Sequence, residues 1–150
     1  MNEPDPENVY CCFYNERNLC PIPNSTIILF GAQKIVSHLL ISTLEPKLYR
    51  AMAAKAQDME GFVHAIGGVE DHVHLAVSIP PKVAPAKFIG EVKGNSSHFV
   101  NHVLKPDFEF YWQDEYGVLS FGEKNLSAVV RYIQNQKQHH ADGTLIAEME

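Results

Sequence analysis

The alternation of apolar and polar positions divides this 150-residue chain into seven segments. Ser25–Phe30, STIILF, is short, β-branched and bounded by Asn24 and Gly31, which predicts a first strand. Ala32–Ile41 shows no clear period and reads as a loop. Ser42-Thr43-Leu44-Glu45 has the form of a capping box, with Ser42 as N-cap and Glu45 reaching back. A helix is expected from there to about Glu60, with Leu44, Leu48, Ala51, Met52 and Met59 as its apolar stripe and Gly61 as its stop. Phe62–Val69 reads as a second strand. The turn Gly67–Asp71 leads into a third, His72–Ile79, which Pro80-Pro81 ends. Pro85 suits the first turn of a second helix, carried to about Leu104 on the stripe Phe88, Val92, Phe99 and Val103. Gly94 weakens that helix, and Pro106 lies just beyond it. Phe110–Phe121 reads as a fourth strand with a bulge at Gly117. Asn125–His140 reads as a last helix.

The resulting order is β-α-β-β-α-β-α. Its first six elements are the split β-α-β arrangement, which predicts an α+β, ferredoxin-like or RRM-like fold. Two helices should cover one face of an antiparallel sheet and leave the other face available. A strand has a side-chain period of two. Val73, Leu75, Val77 and Ile79 should therefore meet the core, while His72, His74, Ala76 and Ser78 project from the available face.

Composition narrows this picture. The length suits one domain with a real core. No apolar run approaches the ~20 residues that span a bilayer, and no secretory signal pattern is present, so a cytoplasmic protein without a membrane partner is expected. Cys11, Cys12 and Cys20 form neither a C-x-x-C pair nor a disulfide framework. Residues 1–23 are rich in Pro, Asn and acids and read as an irregular leader, 24–140 as the domain, and 141–150 as a short acidic tail. Eighteen acids against twelve Lys and Arg give a net charge of −6. A nucleic-acid binder usually carries a basic balance, so any basic surface here must be local.

Two patterns carry candidate chemistry. The first is His72-Val73-His74, DHVHLAV with its preceding Asp71. Two neutral imidazoles on one strand face can share one divalent metal, with Asp71 orienting a ligand ring or sitting in the turn. Two solvent-facing histidines would give the same spelling, and a metal would need a third ligand from elsewhere. The second is the last helix, LSAVVRYIQNQKQHH. Leu126, Val129, Val130 and Ile133 should bury, and Tyr132, Gln136 and His139 lie about 100° away on the helical wheel. Tyr132 and Gln136, four apart, stack on one edge. A phenolate can attack a phosphodiester and an amide oxygen can complete a hard metal site. A core-flanking tyrosine beside an exposed glutamine fits the spacing as well. His139 and His140 are further candidates, as metal ligands or phosphate contacts. A zinc hydrolase built on His72, His74 and His139 or His140 is a different reading of the same residues.

Four blocks taken together, AIGGVEDHVHLAV, KGNSSHFVN, WQDEYGVLSF and YIQNQKQHH, resemble the single-tyrosine HUH transposases of the insertion sequence 200/605 family and its relatives at repetitive extragenic palindromes. The resemblance covers roughly Leu44–His140. It implies that His72 and His74 are metal ligands with Gln136 as the third, and that Tyr132 is the nucleophile. It implies Mg²⁺ or Mn²⁺, single-stranded hairpin DNA as substrate, and cleavage and rejoining through a 5′-phosphotyrosine link without a nucleotide cofactor. It also implies either a homodimer, in which the tyrosine helix of one subunit completes the His site of the other, or a monomer. For the dimer, a contact pairing Trp112–Phe121 with its twin at a sheet edge is expected. DNA contacts would fall on Lys87, Lys93, Asn95, Ser96 and Ser97, with Trp112 or Tyr116 stacking a base. The family's basic triplet after the first strand is missing; GAQKIVSHLL stands there. A domesticated or decayed hairpin-DNA-binding protein, with strand transfer lost, is therefore the alternative.

Overall fold

The computed structural model describes residues 9–10, 26–34 and 38–149. Apart from Val9–Tyr10, the leader expected for 1–23 lies outside the described residues, as do its three cysteines. The elements are β1 (Val9–Tyr10), β2 (Thr26–Lys34), α1 (His38–Asp58), β3 (Phe62–Gly68), β4 (His72–Ser78), α2 (Pro85–His98), β5 (Tyr111–Phe121), α3 (Leu126–Gln134) and α4 (Gln136–Asp142). The sheet order is β1-β5-β2-β4-β3, with every pair antiparallel. Leaving out β1, this is the order that a split β-α-β chain must take, and the α+β ferredoxin-like reading holds.

One core lies between the sheet and the first two helices. Leu44, Leu48, Met52 and Ala56, one per turn of α1, meet Val73, Leu75 and Val77 of β4 and Phe88, Ile89 and Val92 of α2. The face of β4 expected to be apolar is thus the one that meets this core. At roughly 25 cal/mol per Å² of buried apolar surface, these side chains dominate the gain on folding.

The opposite face is not left available. α3 packs across β3 and β4, and a second core joins Ala65, Ala76, Leu119 and Phe121 of the sheet to Val129, Tyr132 and Ile133. The amphipathic stripe of α3 has to be buried somewhere, and Ala65 and Ala76 leave room for it. Met149, beyond α4, is buried in the same cluster.

Several local expectations are corrected. α1 begins at His38, so Ser42 lies inside the helix and the loop expected for Ala32–Ile41 is shortened from both ends. Glu45 serves another purpose, described below. The left-handed residue after α1 is Glu60 (φ 62°), not Gly61. Gly61 matters for space, because a Cβ there would come within 2.9 Å of the Phe88 ring. The buried stripe of α2 continues through Ser96 to Val100, while Val103 is exposed. Ser96 can be buried because its hydroxyl donates to the Val92 carbonyl at 2.7 Å. From Phe99 to Leu104 the helix widens into a π-turn, which rotates the stripe away from Phe99 and Val103. The irregularity in β5 falls between Trp112 and Tyr116 rather than at Gly117, which pairs with Phe30. A further bulge between Val63 and Ala65 lets Val63 and Ile66 share one face of β3.

Candidate functional site

The site forms where β4 begins and α3 gives way to α4. Period two along β4 sends His72 and His74 to the face that α3 covers. Their ring centroids lie 4.9 Å apart, and His74 is completely buried. His72 Nδ1 donates to Asp71 Oδ1 at 2.7 Å. That bond puts the proton on Nδ1 and turns a lone pair on Nε2 toward the interior.

The last helix is not continuous. Asn135 (φ −102°, ψ 17°) separates α3 from α4, with its Nδ2 donating to the Arg131 carbonyl at 2.9 Å. Tyr132 ends up before the break and Gln136 after it. Both are buried, at 4% and 1% exposure, so Gln136 is not the exposed residue that its spacing also allowed, while Tyr132 belongs to the second core. The Gln136 amide nitrogen lies 3.4 Å from His72 Nε2. The Tyr132 ring meets His74 edge-on with centroids 6.3 Å apart.

Gly67 permits this docking. A Cβ at that position would collide with the Ile133 carbonyl, so only glycine lets the end of α3 come this close to β3. Lys137, at the start of α4, donates to Glu45 Oε2 at 2.7 Å and ties α4 to α1. Burial, then the neighbouring Glu45 carboxylate, pushes the Tyr49 phenol far above its usual range, so Tyr49 stays protonated and donates to Glu45. The carboxylate read as half of a capping box thus anchors α4.

Past α4 the chain folds back over Tyr132. The Ile146 amide donates to Tyr132 Oη at 3.1 Å, and His139 stacks on the phenol. The His140 ring lies 4.9 Å from that of His72. Sequence reasoning missed Glu45, Lys137 and this return segment. Its signal in the sequence was the apolar run Leu145–Ala147 with Met149 beyond it.

The set His72, His74 and Gln136 has the chemistry for a divalent ion: two imidazoles and an amide, one ring fixed in tautomer by a carboxylate. Among the described residues, no three His, Cys, Asp or Glu side chains gather as a metal would need.

The other candidates do not join this site. α2 lies on the opposite face of the sheet. Lys93 gives its ammonium to the carbonyls of Gln113 and Glu115, both at 2.8 Å, and burial lowers its pKa. Ser96 accepts from Trp112 Nε1 at 2.9 Å, and the Trp112 ring packs edge-on to Phe110. Ser97 donates to the Gly94 carbonyl. Lys87, Asn95 and Tyr116 are exposed. Ser97, His98, Asn101, Tyr111 and Trp112 line a groove of about 430 Å³ on that side.

Residues 32–136 match the family described as "Transposase IS200 like". The transposase for insertion sequence element IS200 of Salmonella typhimurium is 32% identical over 78 residues, which are 49% of this chain and 51% of that protein. Its Salmonella typhi counterpart matches to the same extent. The chain thus spans about half the length of these relatives. Among solved structures, the REP-associated tyrosine transposase bound to a REP hairpin superposes with a TM-score of 0.61 at 17% identity, covering 85% of this chain and 74% of that one. A candidate transposase from Deinococcus radiodurans R1 superposes with a TM-score of 0.57 at 22% identity, covering 81% and 98%. At these identities the two structures show a shared fold.

Proposed function

The chain belongs to the IS200-like transposase family, and from that membership we propose a metal-dependent enzyme that cuts and rejoins single-stranded DNA beside hairpins through a phosphotyrosine intermediate. The observation that carries this reading is the convergence of Tyr132, His72, His74 and Gln136 within one chain, with Asp71 behind His72. Hairpin DNA as the partner is supported by the structural neighbour solved with a REP hairpin.

His72, His74 and Gln136 would hold Mg²⁺ or Mn²⁺, which supplies Lewis acidity at a phosphate oxygen when bound. Tyr132 Oη attacks the scissile phosphorus in line. A bond from Oη to phosphorus forms and the bond to the DNA 3′-oxygen breaks. The phenolic proton is lost, and the departing oxygen takes one up as a free 3′-OH. The 5′-phosphate stays on Tyr132 until a 3′-OH from another strand attacks it and restores the phenol. One ester replaces another in each half, so no nucleotide cofactor is consumed. Asp71 keeps the His72 proton on Nδ1 throughout.

The test is a denaturing gel of the protein incubated with Mg²⁺ or Mn²⁺ and labelled single-stranded hairpins from its genomic flanks, beside Tyr132→Phe. A shifted covalent band that the variant lacks is expected. Hairpin binding without any band would replace this reading with the hairpin-binding protein that has lost strand transfer, which the net charge of −6 also favours.

A further inference from the structure

α4 carries one chemistry-bearing ring that the proposed reaction does not use. His139 lies flat on the Tyr132 phenol, with centroids 4.6 Å apart and planes 22° apart. Its Nδ1 hydrogen-bonds with Thr144 Oγ1 at 3.0 Å, and the Thr144 amide donates to the His139 carbonyl at 3.0 Å. Gly143, with φ 67°, turns the chain so that Thr144 can reach back. The phenol also meets His74 edge-on, with centroids 6.3 Å apart. The ring of Tyr132 thus has one imidazole from the sheet and one from α4 as neighbours. Its hydroxyl receives the Ile146 amide.

An aromatic ring turns about two side-chain torsions, and a flat neighbour blocks the larger of its sweeps. In-line attack is sensitive to such freedom, since a displacement of about 1 Å can cost roughly a hundredfold in rate. We infer, on the reading of Tyr132 as nucleophile, that His139 is a positioning residue: its ring sets the direction of the Tyr132 phenol, and Thr144 sets the ring. His139 acts through packing and does not hold the metal. α4 thereby supports both halves of the site, Gln136 beside His72 and His139 on the nucleophile.

Single-turnover cleavage at saturating hairpin DNA tests this with wild type, His139→Ala, His139→Phe and Thr144→Val. His139→Ala should slow the covalent step about tenfold. Hairpin affinity and the Mn²⁺ concentration for half-maximal rate should stay within about twofold, since neither depends on the phenol's direction. His139→Phe, which keeps a flat ring but loses its bond to Thr144, and Thr144→Val should both fall between the alanine variant and wild type. A wild-type rate in His139→Ala overturns the inference. So does a His139→Phe variant as slow as the alanine, or a tenfold higher metal requirement in His139→Ala. A second readout needs no activity: fluorotyrosine at position 132, followed by ¹⁹F NMR. The resonance should move in His139→Ala and return toward its wild-type position in His139→Phe; an unmoved resonance also overturns the inference. Absence of any adduct in wild type, with these NMR shifts present, would count against the proposed reaction and leave the packing role standing.

Discussion

Asp71 stands outside the buried site and yet decides how one of its rings is used. Its carboxylate fixes His72 by a single 2.7 Å bond, and carboxylates in this relation typically carry ten- to a hundredfold of a metal site's affinity. Asp71→Asn is expected to raise the Mn²⁺ needed for adduct formation about tenfold or more, with hairpin affinity held, as a metal titration of the gel assay would read. Burial lowers the pKa of His64 from the ordinary 6.5, and its Nε2 is hydrogen-bonded with Ser78 Oγ at 2.8 Å. The unfolded chain then binds the proton more readily than the folded one, so the stability held by neutral His64 is complete above pH 6.5 and is lost as the pH falls through the lowered folded value. Thermal midpoints should decline from pH 7 to 5, less steeply in His64→Gln. At this scale the alternation of His72 and His74 and the spacing of Tyr132 and Gln136 were legible, because period is written in sequence. Their burial was not, because it depends on which surface α3 finds.

At the scale of elements, the docking of α3 is the consequential event. Gly67→Ala sets a methyl group against the Ile133 carbonyl. A loss of about 1–3 kcal/mol is expected from such overpacking, read by denaturant unfolding. Adduct formation should fall further than stability does, because the end of α3 carries Tyr132. The seven expected elements occur in the expected order, since strands and helices of this length have distinct periods; β1 and the division of the last helix into α3 and α4 were not foreseen. The misreadings share a cause: residues suited to a local job were employed in a distant one. Ser42 and Glu45 spell a capping box, but the helix starts at His38 and Glu45 reaches Lys137, far away along the chain. Ser96 looks solvent-facing, but its hydroxyl is satisfied within its own helix and by Trp112. The break at Asn135 carries no proline or glycine, and the local periodicity runs straight through it.

For the whole molecule, the question is how many chains make one site. A mixture of Tyr132→Phe and His74→Ala proteins reads this: it stays inactive if each chain uses its own tyrosine, whereas exchange of the tyrosine helix between subunits restores about a quarter to a half of the adduct if subunits mix at random. The proposed pairing of Trp112–Phe121 with a twin is narrowed by β1, which already pairs with Ser120 and Phe121. A symmetric contact would have to use Tyr111–Leu119 or displace β1. No helix among the described residues is long and apolar enough to cross a membrane. The return segment has a consequence for reactivity as well as for shape. Tyr132 is 4% exposed, while Tyr111 and Tyr116 are 55% and 39% exposed. A nitrating reagent should modify Tyr111 and Tyr116 first and spare Tyr132, as peptide mapping by mass spectrometry would read. The same cover that hides the phenol from a reagent hides it from water, so on the proposed reading of Tyr132 a phosphate would reach Oη only as the Ile146 and Met149 contacts part.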